Sequence, residues 1–245
     1  MLSGLTDATV VLPELFNTGY LFRNMDEIKE LAESAVSGYT VGEMKKIAKK
    51  QNLNLVFGIA EAKSRKYYNS GVFISAKGKV EVYQKVHLFD REKLFFQPGQ
   101  NTFKTYAIEG GKVGMMVCFD WIYPEVTRIL ALQGAQVICH PSNLVLPWCQ
   151  EAMKTRSIEN RVFTVTANRI GTEKRGSISV TFTGKSQIVS PTGEVLASAG
   201  ERSESLKVAE IDIAEADDKM VTPNNHLFQD RKPALYKSLL RAKIR

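Results

Sequence analysis

Lys112-Val113-Gly114-Met115-Met116-Val117-Cys118-Phe119-Asp120-Trp121-Ile122-Tyr123-Pro124-Glu125 is the stretch whose reading decides the fold. Its first half is an apolar run of strand length, and it stops at Cys118. Pro124 then pre-sets the first turn of a helix predicted to run to Gln133. A strand that passes through a short turn into a helix is the building unit of α/β folds. Ligands of open α/β sheets bind beyond the carboxyl ends of the strands, so the thiol of Cys118 stands where chemistry is expected.

Outward from this stretch, the chain alternates between the same two kinds of segment. Short runs rich in β-branched residues predict strands at Thr9–Leu12, Leu53–Gly58, Ser70–Ile74, Val80–Tyr83, Ala135–Ile138, Phe163–Ala167, Lys185–Val189 and Val208–Asp212. Segments of 3.6-residue periodicity predict helices at Met25–Ser34, Thr40–Asn52 and Gln150–Asn160. Ala76-Lys77-Gly78-Lys79 and Pro191-Thr192-Gly193-Glu194 are hairpin loops by their turn residues. Tight turns between consecutive strands argue against a pure Rossmann fold, and no glycine-rich phosphate loop occurs. We expect one compact α/β domain over residues 1–245.

Composition narrows the partners. The net charge is +7, but Lys and Arg are dispersed rather than striped, so no nucleic-acid partner is expected. The densest basic piece, Lys237–Arg245, reads as a solvated helix end. No run approaches the roughly 18 apolar residues that cross a bilayer, and no signal peptide is evident, so a cytoplasmic protein without a membrane partner is expected. The three cysteines, Cys118, Cys139 and Cys149, are too few and too irregular for a disulfide framework or a zinc site. No metal or organic cofactor is signalled.

Two more strands end in reactive groups. Val10-Val11-Leu12-Pro13 leads to Glu14, and Val80–Tyr83 leads to Lys85. A cysteine that ends a buried strand is by itself more often inert packing. Together, however, a thiol, a carboxylate and an ammonium make a coherent nucleophilic site. The carboxylate takes the thiol proton, and the ammonium lowers the thiol pKa and steadies the oxyanion that forms on an attacked carbonyl.

Val10–Tyr20, Tyr83–Phe89 and Gly114–Glu125 resemble, in order and spacing, the glutamate, lysine and cysteine segments of the nitrilase superfamily, the carbon–nitrogen hydrolases. Arg156–Arg161, Gly184–Leu196 and Asp230–Tyr236 continue the resemblance. It implies a four-layer α-β-β-α sandwich. It also implies roles: Glu14 as general base, Cys118 as nucleophile and Lys85 as stabiliser of the tetrahedral intermediate. Glu92, in Arg91–Gly99, matches a second glutamate that orients substrate or bonds the lysine. Tyr20, Phe119, Trp121 and Asn143 are candidate substrate-pocket residues. A homodimer or larger homo-oligomer acting on a small amide-like molecule is implied, with the C-terminal tail packed across the partner.

One departure stands out. Only Met1–Pro13 precede Glu14, with Ser3–Thr9 resembling a helix end and loop, so the first strand and helix of the family pattern are lacking and a longer natural chain is expected. Four functions compete: an amidase or carbamoylase, a nitrilase, a catalytically silent scaffold, and a papain-like enzyme using His87 or His140. Cys118-Phe119-Asp120-Trp121 favours the first, since true nitrilases resemble Cys-Trp-Glu at this point.

Overall fold

The computed structural model describes residues 4–100 and 102–240. Period-two alternation builds its first sheet from β1 (Thr9–Val11), β2 (Asn54–Lys63), β3 (Lys66–Ile74) and β4 (Val80–Gln84), in that spatial order. Val56, Phe73 and Tyr83 face inward, whereas Leu55, Phe57, Ile59, Val72 and Ile74 face outward. Between β1 and β2 in sequence lie α1 (Met25–Leu31) and α2 (Tyr39–Gln51). Val41, Met44 and Ala48 of α2 cover the outward face. Asn52 ends α2 in the left-handed conformation, as a C-terminal Asn readily does.

The second sheet comprises β5 (Thr105–Ile108), β6 (Gly111–Met115), β7 (Val137–Ser142), β8 (Phe163–Asn168), β11 (Gln187–Val189) and β12 (Val195–Ser198), ordered β12-β11-β8-β7-β6-β5. A separate hairpin, β9 (Thr172–Arg175) and β10 (Ile178–Thr181), comes before β11 in the chain. β6, β7 and β8 are parallel, and α3 (Pro124–Leu132) and α4 (Cys149–Asn160) make the crossovers between them. Val113, Met115 and Val117 meet the inner face of the first sheet, and Phe73 stacks on Tyr106 at 5.2 Å between ring centroids. The result is helix, sheet, sheet, helix, the four layers expected.

Some elements differ from the sequence reading. Val208–Asp212 forms no strand: Val208 is exposed, and Ile211 packs on the core without ladder bonds. Only Ile211 of its large apolar side chains packs on the core. β2 and β3 run longer than expected because they join through Ser64 and Arg65, both at positive φ, a two-residue turn without the usual Asn-Gly. Gly4–Ala8 is a turn and bend, not a helix end, and Ser3 lies outside the described residues. Pro233–Leu240 forms a 3-10 helix; the rest of the basic C-terminal segment, residues 241–245, lies outside the described residues. β1 is the edge of its sheet, paired only with β2 among the described residues.

The chain beyond β1 crosses directly over β2. Gly58 N–H donates to Pro13 O at 3.1 Å, and Phe16 N–H donates to Gly58 O at 3.0 Å. A Cβ on Gly58 would lie 2.6 Å from Glu14 Cα, so a side chain there pushes the Glu14 backbone away. Gly58→Ala is expected to lower stability by about 1–3 kcal/mol in urea unfolding. Gly42→Ala, on an open face of α2, should raise it by about 0.5–1 kcal/mol.

Candidate active site

The ends of β1, β4 and β6 deliver Glu14, Lys85 and Cys118 to one buried place. Lys85 is fully buried, and its Nζ donates to Glu14 Oε1 at 2.7 Å and to Glu92 Oε1 at 2.8 Å. Glu92 comes from the 3-10 turn Asp90–Leu94. Asn69 Nδ2 donates to the same Glu14 oxygen at 2.7 Å, and Tyr20 OH donates to Glu92 Oε1 at 2.9 Å. Glu14 Oε2 is buried and has no hydrogen-bond partner among the described residues. One carboxylate oxygen is thus anchored, and the other is left as a proton acceptor.

The elbow that carries Cys118 is held separately. Cys118 has φ +42°, an unfavourable conformation for a side-chain-bearing residue, and it opens the 3-10 turn Cys118–Ile122. The fully buried Asp120 carboxylate secures this turn by accepting from Val117 N–H at 2.9 Å, Tyr83 OH at 2.8 Å and His87 Nδ1 at 2.8 Å. His87 stacks on Tyr123 at 3.7 Å. On the opposite side, His140 Nε2 lies 2.9 Å from Cys118 O, which assigns the proton to that nitrogen. Burial pulls the His140 pKa down to about 4, so it stays neutral. Both histidines hold the elbow through Asp120 or backbone rather than through the thiol.

A cavity of about 140 Å³ reaches this cluster at Glu92 and Tyr20 and is walled by Phe22, Phe89, Phe96, Ile178 and Val180; Glu14, Lys85 and Cys118 are not in its lining, nor are Phe119, Trp121 and Asn143 of the expected pocket residues. Among the other residues singled out from the sequence, Phe119 packs on Phe89 at 5.0 Å between centroids. Trp121 lies in the core between the sheets. Asn143 Nδ2 donates to Glu14 O at 2.8 Å, holding the backbone of the carboxylate's own residue.

Comparison with known proteins now places the chain. The family model for carbon-nitrogen hydrolase matches residues 8–219. The chain belongs to the carbon–nitrogen hydrolase family. It is 45% identical over 227 residues to a nitrilase of Pyrococcus abyssi, covering 93% of this chain and 85% of that one. It is 32% identical over 254 residues to an N-carbamoylputrescine amidase of Solanum tuberosum, covering 94% and 83%. A carbon-nitrogen hydrolase from Helicobacter pylori superposes with a TM-score of 0.82 at 28% identity, over 97% of this chain and 87% of that one. The chain therefore sits in the amidase-like branch of the nitrilase superfamily and is a hydrolase of carbon–nitrogen bonds other than peptide bonds. No helix among the described residues is long and apolar enough to cross a membrane.

Burial dominates the electrostatics of the site. Burial first, then the Glu14 carboxylate, push the Cys118 thiol well above its ordinary range, and Lys85 and the Asn143 backbone N–H only partly oppose this. These surroundings favour the proton on the Cys118 sulfur. Burial pulls the Lys85 ammonium down, but Glu14 and then Glu92 outweigh it, and it stays charged. No group of three or more His, Cys, Asp or Glu is arranged to hold a metal among the described residues. The gap between the two carboxylates is filled by the ammonium. Asn69 was not singled out beforehand, because a buried amide in a strand carries no distinctive pattern, and Asp120 was read only as part of the cysteine motif, without a role of its own.

Burial raises the Glu92 pKa to about 7, with Lys85 opposing and Glu14 adding to the rise. As pH falls through that value, Glu92 takes a proton and Lys85 loses one of its two anionic acceptors. The kcat/KM profile is expected to show an acid limb near pH 7 that Glu92→Gln abolishes. A limb of the same position in Glu92→Gln would assign it elsewhere in the coupled cluster.

Proposed function

We propose that the hydrolase cleaves the C–N bond of a small linear amide or N-carbamoyl compound through a Cys118 thioester. The observation that carries this reading is the divided Glu14 carboxylate: one oxygen anchored by Lys85 and Asn69, the other buried and without a hydrogen-bond partner among the described residues. Glu14 Oε2 takes the thiol proton as Cys118 Sγ attacks the substrate carbonyl carbon. The oxyanion is stabilised by the Lys85 ammonium and by backbone N–H at the start of the 3-10 turn. Collapse breaks the C–N bond, and Glu14 returns its proton to the leaving nitrogen, which departs as ammonia or an amine. Water then enters, gives a proton to Glu14 and attacks the thioester. The tetrahedral intermediate releases the acid and the Cys118 thiol.

The pocket supports a limit on substrate size. Its volume of about 140 Å³ is close to the about 150 Å³ that admits a benzene-sized guest, and aromatic and branched aliphatic side chains dominate its lining. A short apolar acyl group fits this chemistry. A second reading, hydration of a C≡N bond, has its own support in the 45% identity to a protein named nitrilase. The same thiol attack would then give a thioimidate. Cys118-Phe119-Asp120-Trp121 favours the amide reading.

Ammonia release from a panel of small amides, carbamoyl compounds and nitriles tests both. Wild type is expected to act on short apolar amides, and Cys118→Ala to lose that activity, leaving rates on the order of 10⁴-fold lower or less. Preference for nitriles would replace the amide reading. Turnover retained by Cys118→Ala would remove the mechanism.

A further inference from the structure

Behind the catalytic cluster, three charged side chains grip the loop that follows Glu14. Arg169 Nη2 donates to Leu15 O at 3.2 Å, and Arg175 Nη2 donates to Thr18 O at 2.9 Å. Between them, Glu173 Oε2 accepts the Tyr20 N–H at 2.8 Å and Oε1 accepts the Leu21 N–H at 3.2 Å. Glu173 is itself held by Arg169 Nη1 at 2.8 Å and Arg175 Nε at 3.3 Å. Gly19 has φ +87°, and a Cβ there would lie 2.6 Å from Glu173 Oε1, so the bare backbone leaves room for the carboxylate. Phe182 adds a wall: Tyr20 meets its ring edge-on at 5.9 Å, and the Arg169 guanidinium lies over it at 5.3 Å.

The clamp reaches the chemistry at two points, the Leu15 carbonyl next to Glu14 and the Tyr20 phenol. Tyr20 OH donates to Glu92 Oε1, the same oxygen that Lys85 Nζ bonds. We infer that Glu173 is a positioning residue: by fixing the Tyr20 backbone it aims the phenol at Glu92 and so sets the geometry of the carboxylate that Lys85 shares. The inference rests on the active-site reading above for its catalytic consequence, but the linkage itself is a property of the fold. The same hairpin contributes Ile178 and Val180 to the cavity, so one element both walls the substrate and steadies the cluster.

The charged and titratable groups facing Glu92 are Lys85, Glu14, Cys118 and Tyr20, with the neutral Asn69 amide at 3.4 Å. Those facing Glu173 are Arg169 and Arg175, and Arg175 also lies 3.5 Å from Glu27. The Tyr20 hydrogen bond favours ionised Glu92, so its loss moves the Glu92 titration upward from about 7.

The experiment is a carboxyl ¹³C NMR titration of Glu92, assigned with Glu92→Gln, in wild type, Tyr20→Phe, Glu173→Ala, Glu173→Gln and the Tyr20→Phe/Glu173→Ala double variant. Turnover of the best amide is measured alongside. Glu173→Ala is expected to raise the Glu92 titration as Tyr20→Phe does, and the double variant to shift no further. Glu173→Gln, which keeps one acceptor, falls between. kcat drops by up to on the order of 10²-fold, with KM affected less. Additive shifts, or a lower melting temperature in Glu173→Ala and Glu173→Gln with the Glu92 titration unmoved, would overturn the linkage. A wild type that turns over nothing while the NMR shifts appear would instead remove the proposed reaction and leave the linkage standing.

Discussion

Lys85 is a fully buried ammonium bonded to two buried carboxylates, and the rest of the site is arranged around that fact. A buried ion network contributes little by itself, because desolvation offsets most of the attraction. Removing one partner is different: it leaves an uncompensated buried charge, at a cost of about 3–5 kcal/mol. Glu14, Lys85 and Glu92 come from three separate segments of the chain, so the network ties the β1 loop, the end of β4 and the 3-10 turn at Asp90–Leu94 into one unit. It also leaves Glu14 Oε2 without a hydrogen-bond partner among the described residues. Holding Lys85 charged thus makes the two Glu14 oxygens unequal, which is the asymmetry that the proposed proton transfer uses.

Around this centre the packing is tuned for close approach. The Glu14 backbone lies on β2 only because Gly58 has no side chain there. The Cys118 elbow holds a positive φ because Asp120 accepts from Val117 N–H on one side and His140 binds the Cys118 carbonyl on the other. His87 and His140 were natural suspects for a thiol–imidazole pair. Their contacts show why neither serves: each ring is engaged with the turn that presents the thiol, and burial keeps His140 neutral.

Much of this was legible before the structure. Short apolar runs such as Leu53–Gly58 and Ser70–Ile74 correspond to strands buried on both faces, as their β-branched and apolar content implied. The helix over Pro124–Leu132 begins at its proline. The hairpin of β9 and β10 was not foreseen, because Thr172-Glu173-Lys174-Arg175 has no apolar alternation; its strands pair with each other, and Glu173 and Arg175 bond the backbone of a loop far away in sequence. Val208–Asp212 shows the reverse, an apolar pattern that packs without pairing.

Glu14, Lys85 and Cys118 were picked out in the sequence as reactive groups at strand ends, which are short-range signals, and Glu92 only through the family resemblance. Tertiary structure alone decided which carboxylate oxygen is anchored, that burial opposes ionisation of the Cys118 thiol, and that Glu173 reaches the Tyr20 backbone from 153 residues away. Those properties depend on burial and on distances between segments remote in sequence. Local patterns carry no record of them, since desolvation and Coulomb terms exist only once the chain has closed around the charges.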